Sequence, residues 1–324
     1  MKQSIAALEH SEQCATAGLQ VRNPSIDILR GFAIVLMIYT HFYAKFIDEH
    51  TADSLFHFTN TFSSFLCVPL FYFTVGLTLT LRERKSAYIC KRAFMIAALG
   101  MMLNVYEVGV GRLWHWSTLQ IIAAGYLLAY SLRGAAYFYL IALIAVIVSA
   151  NSILSYRFVP YSGEWDLKWF IQGVIFSGGY PLLGWAPFFL LGNMIGRLRD
   201  DYKIVVIAIS TLLVTIGFLF PILKRPVSLG YYFVFMGGSV LSYYIVEKFQ
   251  RSLLLHPLHI LGMFPLILFI GHIVFAGEIV RLFHLKLTMH GFFTFFILFI
   301  LACVLVGHIW IKNSRTSKRV FLSS

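Results

Sequence analysis

Long apolar runs recur along the whole chain, separated by short polar stretches. Each run extends over about 17–23 residues, the length a helix needs to cross a hydrocarbon core about 30 Å thick. Such runs fall near 27–47, 60–81, 93–110, 117–132, 135–153, 181–197, 204–222, 227–246, 254–276 and 290–311, the fourth and sixth being short. They are continuous rather than alternating, which argues for helices and against a β-barrel. The pattern predicts an all-α, polytopic membrane helix bundle of about 10 transmembrane helices. One transmembrane domain is expected over 25–311, between an N-terminal tail (1–24) and a basic C-terminal tail (312–324).

Composition supports this. Of 324 residues, 59% are hydrophobic and only 12% charged, with a mean hydropathy of +0.79. A water-soluble fold has no interior large enough for so much apolar surface. The 31 Phe and 17 Tyr suit a helical bundle with aromatic belts. The net charge of +12 does not point to nucleic acid, because the cations sit in short loops between apolar runs. If the N-terminus is cytosolic, the inner segments hold 18 of the 26 Lys and Arg and the outer segments hold eight. That bias fits ten spans with both termini in the cytosol. The longest outer loop, about 154–180, is too short for a separate domain and reads as a lid or re-entrant segment.

Cys14, Cys67, Cys90 and Cys303 are scattered without a CxxC motif, so neither a disulfide framework nor a zinc site is expected. The first 25 residues lack the apolar core of a secretory signal and contain Glu9 and Glu12. The segments "VPLFYFTVG" (68–76) and "APFFLLG" (186–192) echo one another. In so Phe-rich a chain the echo reads as coincidence rather than as an internal repeat.

Chemistry is concentrated in the first run, "SIDILRGFAIVLMIYTHF". At about 100° per residue, Arg30 and His41 fall within about 20° of each other, and Asp27 lies about 60° from Arg30. The three share one stripe, with His41 about 16 Å along the axis from Arg30. Asp27 and Arg30 can form an i,i+3 ion pair at the helix end. His41 has little reach back to water, and ionisable groups inside a bilayer mark functional sites. A neutral imidazole is also a competent general base. His57, Glu107 with Asn104, and Arg112, His115 and Gln120 are expected at a similar depth. Together with His41 they would form one cluster of titratable groups. His256, His259, His284 and His308 fall at span ends or in loops and read as interfacial. Phosphate-binding glycine loops, HExxH and GxSxG motifs are absent, leaving base-catalysed group transfer or transport.

The same stretch resembles the "D-x-x-R-G-x-A-x-x-L-M-x-x-x-H" opening of the heparan-α-glucosaminide N-acetyltransferase catalytic-domain family, part of a wider superfamily of transmembrane acyltransferases. "VPLFYFTVGLTLTL" (68–81), "GRLWHWSTLQIIAAGYLL" (111–128) and "YPLLGWAPFFLLGNMIGRL" (180–198) are similar to further family segments, the last departing at Gly184, where the family often has proline. The likeness covers about residues 24–200. The Arg30-to-His41 spacing also resembles the signature of the related type-three membrane acyltransferases.

The resemblance implies an acyltransferase that takes an acyl group, usually acetyl, from cytosolic acetyl-CoA. The group passes to an amine or hydroxyl of a saccharide on the far side of the membrane. It implies a catalytic histidine near the outer start of the second span. Counting back from Pro69 puts that position near Leu55, two residues from His57, so His41 and His57 both stand as candidates. Arg82, Arg84, Lys85, Lys91 and Arg92 are candidates to hold the phosphates of CoA, with Asp27 and Arg30 at the donor end; simple topology charges are the competing role. The expected partners are acyl-CoA, a saccharide or glycan acceptor, the lipid bilayer and, in a homodimer, a second copy of the chain; no nucleic acid and no metal are expected. A bacterial cytoplasmic membrane is the simplest home. A transporter or flippase of small solutes or lipid-linked sugars, and a non-catalytic membrane partner, are the alternatives. Pro69 with Gly76, Pro187 with Gly192, and Pro257 with Pro265 would supply a transporter's broken helices.

Overall fold

The computed structural model describes residues 23–47, 53–81, 84–112, 115–154, 167–177 and 179–323. Among them the chain is helical, with one isolated bridge between Lys224 and Val227. The helices are α1 (Pro24–Phe46), α2 (Ser54–Thr80), α3 (Ser86–Val108), α4 (Thr118–Ser131), α5 (Tyr137–Leu154), α6 (Leu167–Gln172), α7 (Leu182–Ile195), α8 (Lys203–Gly217), α9 (Leu229–Phe249), α10 (His256–Gly262), α11 (Pro265–Phe283) and α12 (Met289–Ser323). Seven (α1, α2, α3, α5, α9, α11 and α12) are long and apolar enough to cross a membrane, and α4 and α7 are shorter apolar helices. The protein is an all-α polytopic membrane bundle.

Helix starts follow local chemistry. The side chain of Asn23 accepts from Ser25 N at 3.0 Å, and Pro24 needs no intrahelical donor partner at the first position of α1. Asp53 caps α2 through Phe56 N at 2.7 Å. That cap starts α2 at Ser54, ahead of the expected 60. The expected ninth run, 254–276, is not one helix. It divides into α10 and α11 at Met263 and Phe264, because Pro265 cannot donate to the preceding turn and restarts the helix at its own first turn. The last helix does not stop at 311 but continues to Ser323. Most of the N-terminal tail and most of the expected lid (155–166) lie outside the described residues.

α1 is the axis of the bundle, packed by α2, α9, α10, α11 and α12. Two close crossings position it. Gly31 leaves room for the backbone of Leu258 in α10, and Gly262 leaves room for the backbone of Asp27. The α2–α7 crossing repeats the device. A Cβ at Gly76 would strike the carbonyl of Phe189, and one at Gly192 would strike that of Phe73. The Phe-x-x-Gly echo is therefore a reciprocal contact, small residues letting two membrane helices approach closely. Around it lies an aromatic core of Tyr72, Trp185, Phe188, Phe189, Tyr231 and Tyr232, all fully buried. Tyr72 and Phe189 stack at 4.6 Å. Large apolar side chains such as Phe94, Phe138, Ile204 and Leu301 face outward, as lipid contact requires.

Candidate active site

The stripe on α1 becomes two sites, one near each end of the helix. At the first, Asp27 is 1% exposed and meets Arg30 Nη1 at 3.1 Å. The second carboxylate oxygen lies 4.0 Å from His259 Nε2 on α10. Asp27 stands in the first turn of α1, where the helix dipole favours an anion. Arg30 Nη2 donates to Thr78 on α2. The guanidinium of Arg92 lies over the Tyr126 ring at 5.5 Å. These groups enclose a cavity of about 310 Å³ lined by Asn23, Asp27, Arg30, Thr78, Arg84 and Arg92, among others. A second space of about 140 Å³ shares Arg30, Thr78, Arg92 and Tyr126 but has largely apolar walls, including Phe71, Val75, Leu119, Ile122 and Phe269.

The second site lies further along the same helices. Phe71 gives way to Val68, Cys67 and Ser64 on α2, Leu119 to Thr118 on α4, and Phe269 to His272 on α11. Here His41 and Thr40 line a cavity of about 310 Å³ with Ser64, Cys67, Lys224 and Arg225. His41 Nδ1 lies 2.8 Å from His272 Nε2, and the two rings stack at 5.0 Å. His272 is 1% exposed, and its Nδ1 lies 2.7 Å from the carbonyl of Leu268.

That last contact fixes the proton positions in a neutral pair. A carbonyl only accepts, so His272 carries its hydrogen on Nδ1. Its Nε2 must then accept, so His41 carries its hydrogen on Nδ1. The lone pair of His41 is left on Nε2, available as a base or nucleophile, on a ring that lines the cavity.

The expected single cluster does not form. His57 is exposed near the start of α2, and its Nδ1 lies 2.8 Å from the Tyr43 hydroxyl. Tyr43 is two residues from His41, about 200° round the helix, so the two histidines occupy different faces. Glu107 is half-exposed at the end of α3, 4.0 Å from Lys45. His115 lines a separate, apolar cleft of about 330 Å³ with Cys90, Phe94, Trp116 and Phe170. Its carbonyl accepts from Asn104 Nδ2 at 2.5 Å. Of the expected phosphate ligands, Arg84 and Arg92 line the first cavity, Lys85 is exposed beside it, and Arg82 lies outside the described residues. Among the described residues, no group of three or more His, Cys, Asp and Glu could hold a metal ion.

Sequence reasoning missed His272, Lys224 and Arg225. The signal for His272 was present: an ionisable residue within the apolar run "LILFIGHIVFAG", the argument applied to His41. Lys224 and Arg225 were counted only as loop charges.

The family model for the heparan-alpha-glucosaminide N-acetyltransferase catalytic domain matches residues 22–216. This is more than half of the chain. The chain belongs to that family. No curated protein matches it as a relative. The matched segment contains α1 to α7 and nearly all of α8, and so includes Asp27, Arg30, Arg92 and His41. It ends before His272, Lys224 and Arg225, so the surroundings of His41 are completed by residues from beyond it.

Proposed function

We propose that this membrane acetyltransferase takes its acyl group, acetyl in the simplest case, from acyl-CoA at the Arg30 end of α1. It passes that group to a saccharide amine or hydroxyl at the His41 end. The Lys and Arg bias of the loops supports a cytosolic Arg30 end and an external His41 end, and a bacterial cytoplasmic membrane is the simplest home. Arg30, Arg84 and Arg92 suit the phosphates of CoA, and the apolar space beyond them suits the pantetheine arm and its thioester.

His41 Nε2 takes the proton of the acceptor amine or hydroxyl as that group attacks the thioester carbonyl. The tetrahedral adduct then collapses, the carbon–sulfur bond breaks, and the CoA thiolate leaves with the proton from His41. His272 holds the His41 ring in the tautomer that presents the lone pair. The same lone pair can instead attack the carbonyl itself, breaking the carbon–sulfur bond and expelling the CoA thiolate to leave an acyl-His41; the acceptor then attacks this acyl group, its proton passes to the thiolate, and the bond to Nε2 breaks to return neutral His41. The observation that carries this reading is the Leu268–His272–His41 hydrogen-bond chain, set about three turns along α1 from a cavity rich in arginine, with an apolar space between them.

The test is consumption of labelled acetyl-CoA by purified wild-type protein. Release or exchange of label, abolished in His41→Ala, supports the reading. Acid-quenched mass spectrometry separates the two routes, because only the covalent one leaves acetyl on His41. A transporter would instead use the break between α10 and α11, where Met263 and Pro265 line the inner cavity. Uptake of a solute by proteoliposomes without acyl-CoA turnover would support that alternative.

A further inference from the structure

The apolar cleft beside His115 belongs to neither cavity at the ends of α1. It runs along the side of the bundle where α4 returns beside α3. From Cys90 to Met101 it follows α3 for eleven residues, about 16 Å. Its space of about 330 Å³ comes from small side chains, Ala93 and Ala97 on α3 and Ala123 and Ala124 on α4. Phe94 and Leu127 in its wall are 76% and 41% exposed. Both stand within apolar helices, so the cleft opens sideways to the bilayer rather than to either aqueous face.

One end of the cleft is polar. Gln120 stands in the first turn of α4 and is only 4% exposed. Its Oε1 accepts from Ser117 N at 3.2 Å and from the Ser117 hydroxyl at 2.6 Å, as part of the capping box of α4. The bond from Ser117 N fixes which way the amide faces, because an amide nitrogen does not accept. Nε2 is left sealed from water, with no hydrogen-bond partner among the described residues. An unmet donor inside a membrane domain is costly. This is the end nearer His41: Trp116, in the cleft wall, donates Nε1 to the carbonyl of Tyr180, in the wall of the His41 cavity.

A lipid matches both features. Gln120 lies where α4 enters the membrane, at the boundary of hydrocarbon and headgroups, the level at which a phospholipid carries its ester carbonyls. A carbonyl only accepts, as Gln120 Nε2 requires. The chain beyond the ester is apolar and asks for no further polar partner. We propose that the cleft binds one acyl chain of a glycerophospholipid from the leaflet on the His41 side. The ester carbonyl accepts from Gln120 Nε2, and the chain lies along Ala97, Ala123 and Ala124. The site is separate from both cavities of the acyltransferase reading and does not depend on it.

The test places the purified full chain in phosphatidylcholine nanodiscs doped with phosphatidylcholine that carries a diazirine in one acyl chain. After irradiation, tandem mass spectrometry maps the adducts. They should concentrate roughly tenfold on 93–101 and 120–127 relative to the outward faces of α5 and α12 around Phe138 and Leu301, which report ordinary surrounding lipid. An ether-linked analogue, lacking the carbonyl, should lose most of that enrichment, about five- to tenfold for one hydrogen bond to an otherwise unmet donor. Ala124→Phe fills the cleft and should abolish the enrichment. Ala97→Phe fills it from the other wall and decides the matter if the first variant does not fold. Equal labelling of the cleft and of α5 and α12 overturns the inference. Equal enrichment by ester and ether lipids overturns the assignment to Gln120. A cleft protected from lipid while the other faces are labelled also overturns it, and assigns the space to a segment of the chain itself. Acetyl-CoA takes no part in the experiment, so its outcome is distinguishable from failure of the acyltransferase reading.

Discussion

At one end of α1 a carboxylate is fully buried against a guanidinium, with His259 and Thr78 closing around the pair. At the other end two imidazoles share a hydrogen bond, and the chain of donors finishes on a helix carbonyl. Both arrangements satisfy polar groups inside a membrane domain, but by different physics. The first keeps opposite charges together in the opening turn of the helix, and breaking it strands a buried charge. The second pairs neutral groups, so its cost is small and its directionality is high. A binding site for a polyanionic donor benefits from the first. A proton-transfer site benefits from the second, because a neutral base is ready to accept.

The sharpest way to break this comparison is His41→Ala, which should lower turnover by about 10²–10⁴-fold with acetyl-CoA still bound. Stopped assays with labelled acetyl-CoA, alongside a binding isotherm, check both halves. Arg30→Ala should lower stability as well as weaken acetyl-CoA binding, since the guanidinium both pairs with Asp27 and lines the inner cavity. Removing the guanidinium leaves Asp27 buried in the company of His259, at a cost of about 3–5 kcal/mol. Thermal unfolding in detergent should show the loss, and Asp27→Asn in the same chain should recover part of it.

The same stripe shows what could be read before the fold was known. Asp27, Arg30 and His41 fall on one face because an uninterrupted helix imposes that angle, and α1 is such a helix over Pro24–Phe46. The family likeness was legible on the same residues. The partner of His41 was not, because the pairing of α1 with α11 is set by packing between segments 231 residues apart. Lys224 and Arg225 were hidden for a similar reason, since a loop charge and a cavity charge look alike until the loop is folded. His57 is separated from His41 by orientation, since its ring meets Tyr43, about 200° round α1 from His41. The break at Pro265 was visible as a residue, but choosing between a kink and a restart needs the neighbouring turns.

Smaller effects sharpen the comparison further. His272→Phe should cost on the order of tenfold or more in kcat, with KM for acetyl-CoA unchanged. His272→Gln, which keeps an acceptor for His41 Nδ1–H, should recover part of the loss. Steady-state kinetics on the pair separates a positioning role from simple packing. Arg92→Gln should do the opposite. Weaker acetyl-CoA binding, by roughly tenfold, should come with an unchanged kcat and a shallower dependence on salt. The smallest effect is expected for His57→Ala. Its exposed ring meets only the Tyr43 hydroxyl among the hydrogen bonds described, so activity should stay within about twofold and stability within about 0.5 kcal/mol.

The most direct test of the division between the two ends is one kinetic comparison, turnover of labelled acetyl-CoA by His41→Ala and Arg92→Gln over a range of acetyl-CoA concentrations. The account predicts a collapsed kcat for the first and a raised KM with preserved kcat for the second. Full turnover by His41→Ala, or a kcat loss in Arg92→Gln as deep as that in His41→Ala, would contradict it.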